Sequence, residues 1–174
     1  MILRRVGCRL VIAMMTTVGL LFVPLPGLAA QTALAPARDL AADARMVART
    51  GVPLIVMVSL SGCPHCEVVR RSHLLPLLGE PTAAQKPLIR QIEINGQDRL
   101  LDFNGRSITH AEFSGRYNIR IAPVVMFFGA NGELLTPSLV GAMIPDFYGA
   151  YFDAALAAAT ARLQSAPNMA RVNP

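Results

Sequence analysis

Residues 52–66 read Val-Pro-Leu-Ile-Val-Met-Val-Ser-Leu-Ser-Gly-Cys-Pro-His-Cys. From Val52 to Leu60 the run is apolar and β-branched without alternation, which suits a strand covered on both faces. A turn-forming Ser61-Gly62 follows, and the cysteines then open a helix over about Cys63 to Leu78, with Pro76 expected to bend or end it. Two cysteines three residues apart therefore stand at the first turn of a helix that leaves a buried strand.

Working outward, residues 30–38 read as an Ala- and Pro-rich linker. Asp39 is a suitable N-cap for a helix through Leu40, Ala44, Val47 and Ala48, stopped by Gly51. Beyond the cysteine helix, Leu88 to Asn95 reads as a strand with Ile92 and Ile94 only partly in phase. Phe103-Asn104-Gly105-Arg106 carries the Asn-Gly signal of a tight hairpin. A short helix over about Thr109 to Tyr117 leads to Pro123, and Val124 to Phe128 is a second buried strand. Asn131-Gly132 turns that strand into Glu133 to Val140, an antiparallel partner. Pro145 starts a last helix with Phe147, Tyr151, Phe152, Ala155, Leu156, Ala159 and Leu163 on one apolar face. The folded domain is thus placed at 39–164, and 165–174 reads as a flexible tail. Alternating elements closed by a hairpin predict an α/β fold, a central mixed sheet with helices on both faces and a small hairpin inserted before the helix that precedes Pro123.

The first 29 residues are of a different kind. Arg4, Arg5 and Arg9 precede an uncharged apolar run from Leu10 to Val23, then Pro24, Pro26 and Gly27-Leu28-Ala29, the layout of a secretory signal peptide. The run is shorter than the ~20 residues of a spanning helix, so cleavage after Ala29 is expected, with retention as an uncleaved inner-membrane anchor as the alternative. Cys8 leaves with this segment. The whole chain has 174 residues, a net charge of +5 and three cysteines. The leader holds three of the 16 basic residues and none of the 11 acidic ones, so the remainder carries a charge near +2. That balance gives no reason to expect a nucleic-acid partner. A periplasmic location is expected, where disulfides persist.

Cys63 and Cys66 then carry the chemistry. Unpaired N–H groups at a helix start favour an anion, so the Cys63 thiol should ionise readily and act as nucleophile. Cys66 lies one turn on, within reach of a mixed disulfide formed at Cys63, which it resolves. Pro64 fits the first helical turn, and His65 favours thiolate over thiol whether protonated or hydrogen-bonding. Two other readings stay open. A structural Cys63–Cys66 disulfide would close a tiny loop and constrain little. A metal site would use Cys63, His65 and Cys66, but zinc normally takes four ligands; His73 and His110 read as helix-surface residues. Copper draws some support from eight methionines, yet three go with the leader, and Met57 and Met126 sit in core strands. No cofactor and no resident metal are expected.

The chain resembles the thioredoxin-like superfamily, in particular exported thioredoxin-related proteins of the SoxW-like kind. The resemblance covers about residues 39–163. It rests on SGCPHC after VPLIVMVSL, on RYNIRIAPVVMFF and on NGELLTPSLVG. It implies a thioredoxin fold, a cis bond before Pro123, and a substrate site in which the Ala122 backbone pairs with an extended peptide beside Gly62. Residues alone would allow Pro123 simply to begin a strand. The implied activity is thiol-disulfide exchange with exported cysteine-containing proteins, as a reductase fed by a membrane electron carrier of the DsbD or CcdA kind. The alternatives are a disulfide-forming oxidase of the DsbA type, which shares Cys-Pro-His-Cys, and a copper-binding chaperone using the same pair. The sequence departs from the family twice: Gly62 stands where thioredoxins usually have tryptophan, and Met57 where many bury a carboxylate. The 60 residues from Cys63 to Pro123 are already filled by predicted elements, so a DsbA-type helical domain does not fit.

Overall fold

The computed structural model describes residues 33–79, 86–141 and 145–172, with the side chains of 147–165 in the last helix. The predicted leader, 1–29, lies outside the described residues. The elements are α1 (Leu40–Thr50), β1 (Leu54–Ser59), α2 (Pro64–Val69), a π-helical turn (Arg70–Leu74), α3 (Leu75–Gly79), β2 (Leu88–Glu93), β3 (Arg99–Leu101), β4 (Ser107–Thr109), α4 (His110–Arg116), β5 (Val124–Phe128), β6 (Leu139–Val140) and α5 (Pro145–Val172).

α1 begins where its cap directs. The Asp39 carboxylate accepts from the Ala42 N–H at 2.7 Å, a bond typically worth about 1 kcal/mol. At the other end Gly51 takes φ 68° and donates its N–H to the Val47 carbonyl. The buried face of α1 holds Leu40, Ala44 and Val47, together with Asp43. That carboxylate is neutralised by Arg90 of β2, whose guanidinium donates at 2.9 and 2.6 Å.

Four strands form the central sheet in the order β2-β1-β5-β6. β1 pairs parallel with β2, β5 runs antiparallel to β1, and β6 antiparallel to β5. Leu54, Val56 and Val58 pack with Val124, Met126 and Phe128 in one core cluster that also takes in α1, α4 and the β3–β4 hairpin. Ile55 and Met57 pack with Val125 and Phe127 in a second, which holds Cys66, Val69 and Phe152. Helices cover both faces, which is why β1 and β5 carry no polar alternation. β2 shows the two faces: Ile92 joins the first cluster and Ile89 the second.

Several sequence expectations are corrected. Of the two outcomes expected at Pro76, a bend or an end, the helix does not end: it continues to Gly79, with its regular bonding interrupted just before the proline. Proline removes an N–H and crowds the carbonyl four residues back, and the preceding turn widens: Leu75 donates its N–H to Arg70, five residues earlier. The partner of β5 is not continuous from Glu133 to Val140. Leu139 and Val140 pair with Val125 and Val124, and Leu134 bridges Phe128. Between these pairs the four residues 135–138 face the two residues 126 and 127, and the excess is a bulge containing Pro137, which has no N–H for a ladder.

The predicted linker is partly ordered into the sheet. Gln91 of β2 donates to the Ala35 carbonyl and accepts from Ala37, both at 2.9 Å, and Leu34 and Ala37 are buried. On α5 the inward aromatics are Tyr148 and Phe152, whereas Phe147 and Tyr151 are about 60% exposed (61% and 62%). The helix also runs to Val172, through most of the predicted tail.

Neither distant histidine is a surface residue. His73 is half-buried and packs its ring 5.1 Å from Tyr148 and 5.8 Å from Phe152. His110 is buried and joins three segments. Its Nδ1 accepts from the Glu93 N–H at 3.2 Å, and its Nε2 lies 3.1 Å from the Ala37 carbonyl. A backbone N–H can only donate, so Nδ1 is unprotonated and Nε2 carries the hydrogen donated to Ala37. His110→Ala would strand both backbone groups, and a loss of about 2–3 kcal/mol is expected. Urea unfolding at neutral pH checks it; a loss below 0.5 kcal/mol (about a third of a tenfold change in the folding constant) would show that these bonds hold nothing.

Candidate active site

β1 delivers the chain to the site through a single turn. The Cys63 N–H donates to the Leu60 carbonyl at 3.1 Å, and Gly62, third in that turn, has φ 72°. Side-chain-bearing residues avoid that region. Glycine at the position where thioredoxins usually have tryptophan therefore sits in a backbone conformation suited to it.

Cys63 is the N-cap of α2, and Pro64 is the first helical residue, where its missing N–H would have had no partner anyway. The Cys66 N–H donates to Cys63 Sγ at 3.2 Å. The two sulfurs are joined in a disulfide with the Cα atoms 5.3 Å apart. Their environments differ sharply. Cys66 is 1% exposed and lies in the second core cluster with Met57 and Val69. Cys63 is half-buried, and Pro64, His65 and Gly62 are exposed. An incoming sulfur can reach one cysteine and not the other.

The segment 121–123 belongs to the same neighbourhood. Ala122 and Cys63 both pack against the second core cluster, Ile121 is 57% exposed, and Pro123 is buried behind them. The Ala122–Pro123 peptide bond is cis. A dithiol at the start of the helix after the central strand, a β2-β1-β5-β6 mixed sheet, and this proline at the entry to β5 together define the architecture. The fold is thioredoxin-like.

No protein-family model matches the chain, and no curated protein matches it significantly. Among solved structures, it is similar to thioredoxin NaTrxh from Nicotiana alata, with 10% identity over 64% of this chain and 88% of that one and a TM-score of 0.42. It is also similar to a thioredoxin-fold protein from Helicobacter pylori, with 15% identity, 68% and 86% coverage and a TM-score of 0.43. A third is the thioredoxin of Malassezia sympodialis, with 16% identity, 74% and 96% coverage and a TM-score of 0.40. The topology of the chain itself carries the fold assignment.

Within this thioredoxin-like frame, a polar network lies beside the buried Met57 of β1. Met57 is fully buried where many thioredoxins place a carboxylate, and the β1–β2 register sets Gln91 beside it. The Gln91 side chain accepts from Arg70 Nε at 3.0 Å and donates to Glu93 at 2.7 Å. Arg70, four residues after Cys66, has a side chain only 12% exposed. It also donates to Ser59 Oγ at 3.2 Å and pairs with Glu67. A guanidinium is thus held on several sides next to the Gln91 that pairs with Met57. Sequence reading missed Arg70; its only signal was the four-residue spacing from Cys66.

Glu67 does not serve the thiol beside it. Its carboxylate turns to Arg70 and Arg71. The Arg70 hydrogen bond, helped by the charges of both arginines, holds it below the usual carboxylate range despite some desolvation. It stays ionised near neutral pH and is a weak proton acceptor. Among the described residues, no three His, Cys, Asp or Glu side chains converge as metal ligands.

Proposed function

We propose that this protein is a thiol-disulfide oxidoreductase acting on exported cysteine-containing proteins in the periplasm, in the reducing direction. The observation that carries the reading is the asymmetry of the pair: a reachable Cys63 sulfur at a helix start, bonded to a wholly buried Cys66 sulfur.

The reaction follows from that asymmetry. In the reduced protein the N–H groups at the start of α2, including that of Cys66, favour the Cys63 thiolate. The thiolate attacks one sulfur of a substrate disulfide, and the substrate's S–S bond breaks as a mixed disulfide with Cys63 forms. The departing substrate sulfur takes up a proton. Cys66 then loses its proton to water and attacks Cys63 Sγ, which expels the second substrate thiolate and closes the Cys63–Cys66 bond. Two electrons pass to the substrate, and its second sulfur takes its proton from water. The Ala122 backbone holds the substrate strand beside Pro123 and Gly62, while His65 and Pro64 tune the thiolate. A membrane carrier of the DsbD or CcdA kind restores the dithiol.

Direction is tested by the reduction potential, measured by equilibrating the protein with glutathione buffers, alongside insulin reduction. A potential near thioredoxin's, about −270 mV, with insulin precipitation supports a reductase. A value near DsbA's, about −120 mV, makes it a disulfide-forming oxidase instead. Stoichiometric tight Cu(I) binding by the reduced protein, without insulin reduction, would sink the exchange reading and leave a copper chaperone.

A further inference from the structure

α5 turns one face to solvent that carries almost no charge. Between Phe147 and Ser165 its only charged residues are Asp153 and Arg162, and neither takes part in the ion pairs among the described residues. Phe152 and Ala159 point into the core. On the opposite side Phe147 and Tyr151 are 61% and 62% exposed, and Ala154, Ala157, Ala158 and Ala161 are exposed with them. The water-facing side of a helix normally carries charged and polar residues; this one has two bare aromatics and a run of alanines.

The two margins of that face show what fits it. A helix turns about 100° per residue, so residues about eleven apart return to nearly the same angle after three turns. Tyr151 and Arg162 are so spaced, and so are Asp153 and Gln164. The first pair lies on one margin of the alanine strip and the second on the other, and all four residues are exposed. One margin thus carries an aromatic ring and a guanidinium, the other a carboxylate and an amide donor, each group with its complement three turns on. Within one helix the members of a pair cannot meet, since three turns rise about 16 Å. Two antiparallel copies bring them together. A twofold axis between Ala157 and Ala158 sets Ala154 against Ala161 of the second copy and lays each margin along the same margin of its partner. Tyr151 then stands within about 3 Å of level with Arg162 of the second copy, and Asp153 likewise with Gln164 of the second copy.

We propose that α5 is the contact surface for a second copy of this chain, in an antiparallel, twofold-symmetric pair with the alanines at its centre. Tyr151 packs against Arg162 of the second copy, and Asp153 accepts from the Gln164 amide of the second copy, each contact occurring twice by symmetry. The alanines let the helix axes approach to the short end of the usual spacing, about 8 Å. With one charge of each sign, the face offers no net charge to an anionic membrane or to a strongly charged protein. A contact about 28 Å long and one helix wide is smaller than a standard interface, so the pair is a weak dimer that forms with concentration.

Sedimentation velocity on the protein recovered from cells that export it, over about 5–500 µM, should show a monomer–dimer equilibrium with a dissociation constant inside that range. Ala158→Glu sets two carboxylates together at the twofold axis and should weaken the dimer roughly tenfold or more. Its urea unfolding should match the wild type, because glutamate is a good residue for an exposed helix position. Two changes at Tyr151 read the register. Tyr151→Glu places a carboxylate opposite Arg162 of the second copy and should keep the dimer, now weakened by salt. Tyr151→Lys opposes like charges and should weaken it roughly tenfold. A parallel pair would set position 151 against itself and weaken both variants alike, which overturns the proposal. So does a wild type that stays monomeric up to about 500 µM, or an Ala158→Glu dimer as tight as the wild type's, since the contact would then lie elsewhere. A monomer that sediments with phosphatidylglycerol vesicles, and loses that binding in Tyr151→Glu, would give the face to a membrane and overturn it as well.

Discussion

Cys63→Ser is expected to abolish exchange, lowering the rate by on the order of a thousandfold or more, as loss of a sole nucleophile does. Cys66→Ser should behave differently. With Cys63 intact, that variant still attacks a disulfide but cannot resolve it, so a stable mixed disulfide accumulates at one substrate per protein. The difference follows from burial: Cys66 is 1% exposed and Cys63 is half-buried. In the reduced wild type, iodoacetamide at mildly acidic pH should label Cys63 first, because its thiolate fraction and access are both greater. Mass spectrometry of the trapped adducts reads all three results. Equal labelling of the two cysteines, or a trapped adduct in Cys63→Ser, would reverse the assigned roles.

The largest expected effect on stability is away from the sulfurs, at Phe128. This side chain is fully buried at the end of β5. It meets Phe103 at 4.9 Å, Tyr117 at 5.5 Å and Phe113 at 6.3 Å between ring centres. One ring thus ties the sheet to the loop joining β3 and β4 and to the middle and the C-terminal cap of α4. Truncation removes its transfer energy and leaves a cavity that three other rings cannot easily close. Phe128→Ala is therefore expected to cost about 3–5 kcal/mol, a large share of the 5–15 kcal/mol typical of a domain. Denaturant unfolding measures it; a cost below 1 kcal/mol (less than a tenfold change in the folding constant) would mean that the cluster repacks. Tyr117 begins the stretch that runs through Arg120 to Pro123, so the same variant should also raise KM for peptide disulfides. A purely local cavity would not.

How far the sequence carries can be judged at individual residues. α1 was legible because both of its ends are chemical signals, a carboxylate cap and a glycine that turns left-handed. β1 and β5 were legible because burial on two faces leaves an unbroken apolar run. Cys63 and Cys66 were visible through their spacing and position after a strand. The π-helical turn was not, since Pro76 signals disruption but not whether a helix stops or widens. His110 was misread because its partners, the Glu93 N–H and the Ala37 carbonyl, are 17 and 73 residues away, and no local pattern announces backbone partners at that distance. On α5, Phe147 and Tyr148 are adjacent aromatics, and sequence periodicity chose the wrong one. The neighbours that decide it are His73 and Phe152, of which the first comes from another helix. Arg70 escaped for a similar reason, being one of many arginines until Ser59, Gln91 and Glu67 surround it.

The pairing of Ala35 and Ala37 with Gln91 makes the sheet lopsided. On that margin an incoming strand would find the backbone groups of Gln91 already taken by the protein's own chain, and the opposite margin ends in the two-residue β6 with Val140 uncovered. A leader retained as an anchor would thus moor the domain by the sealed margin. The open one would be left for whatever strand arrives.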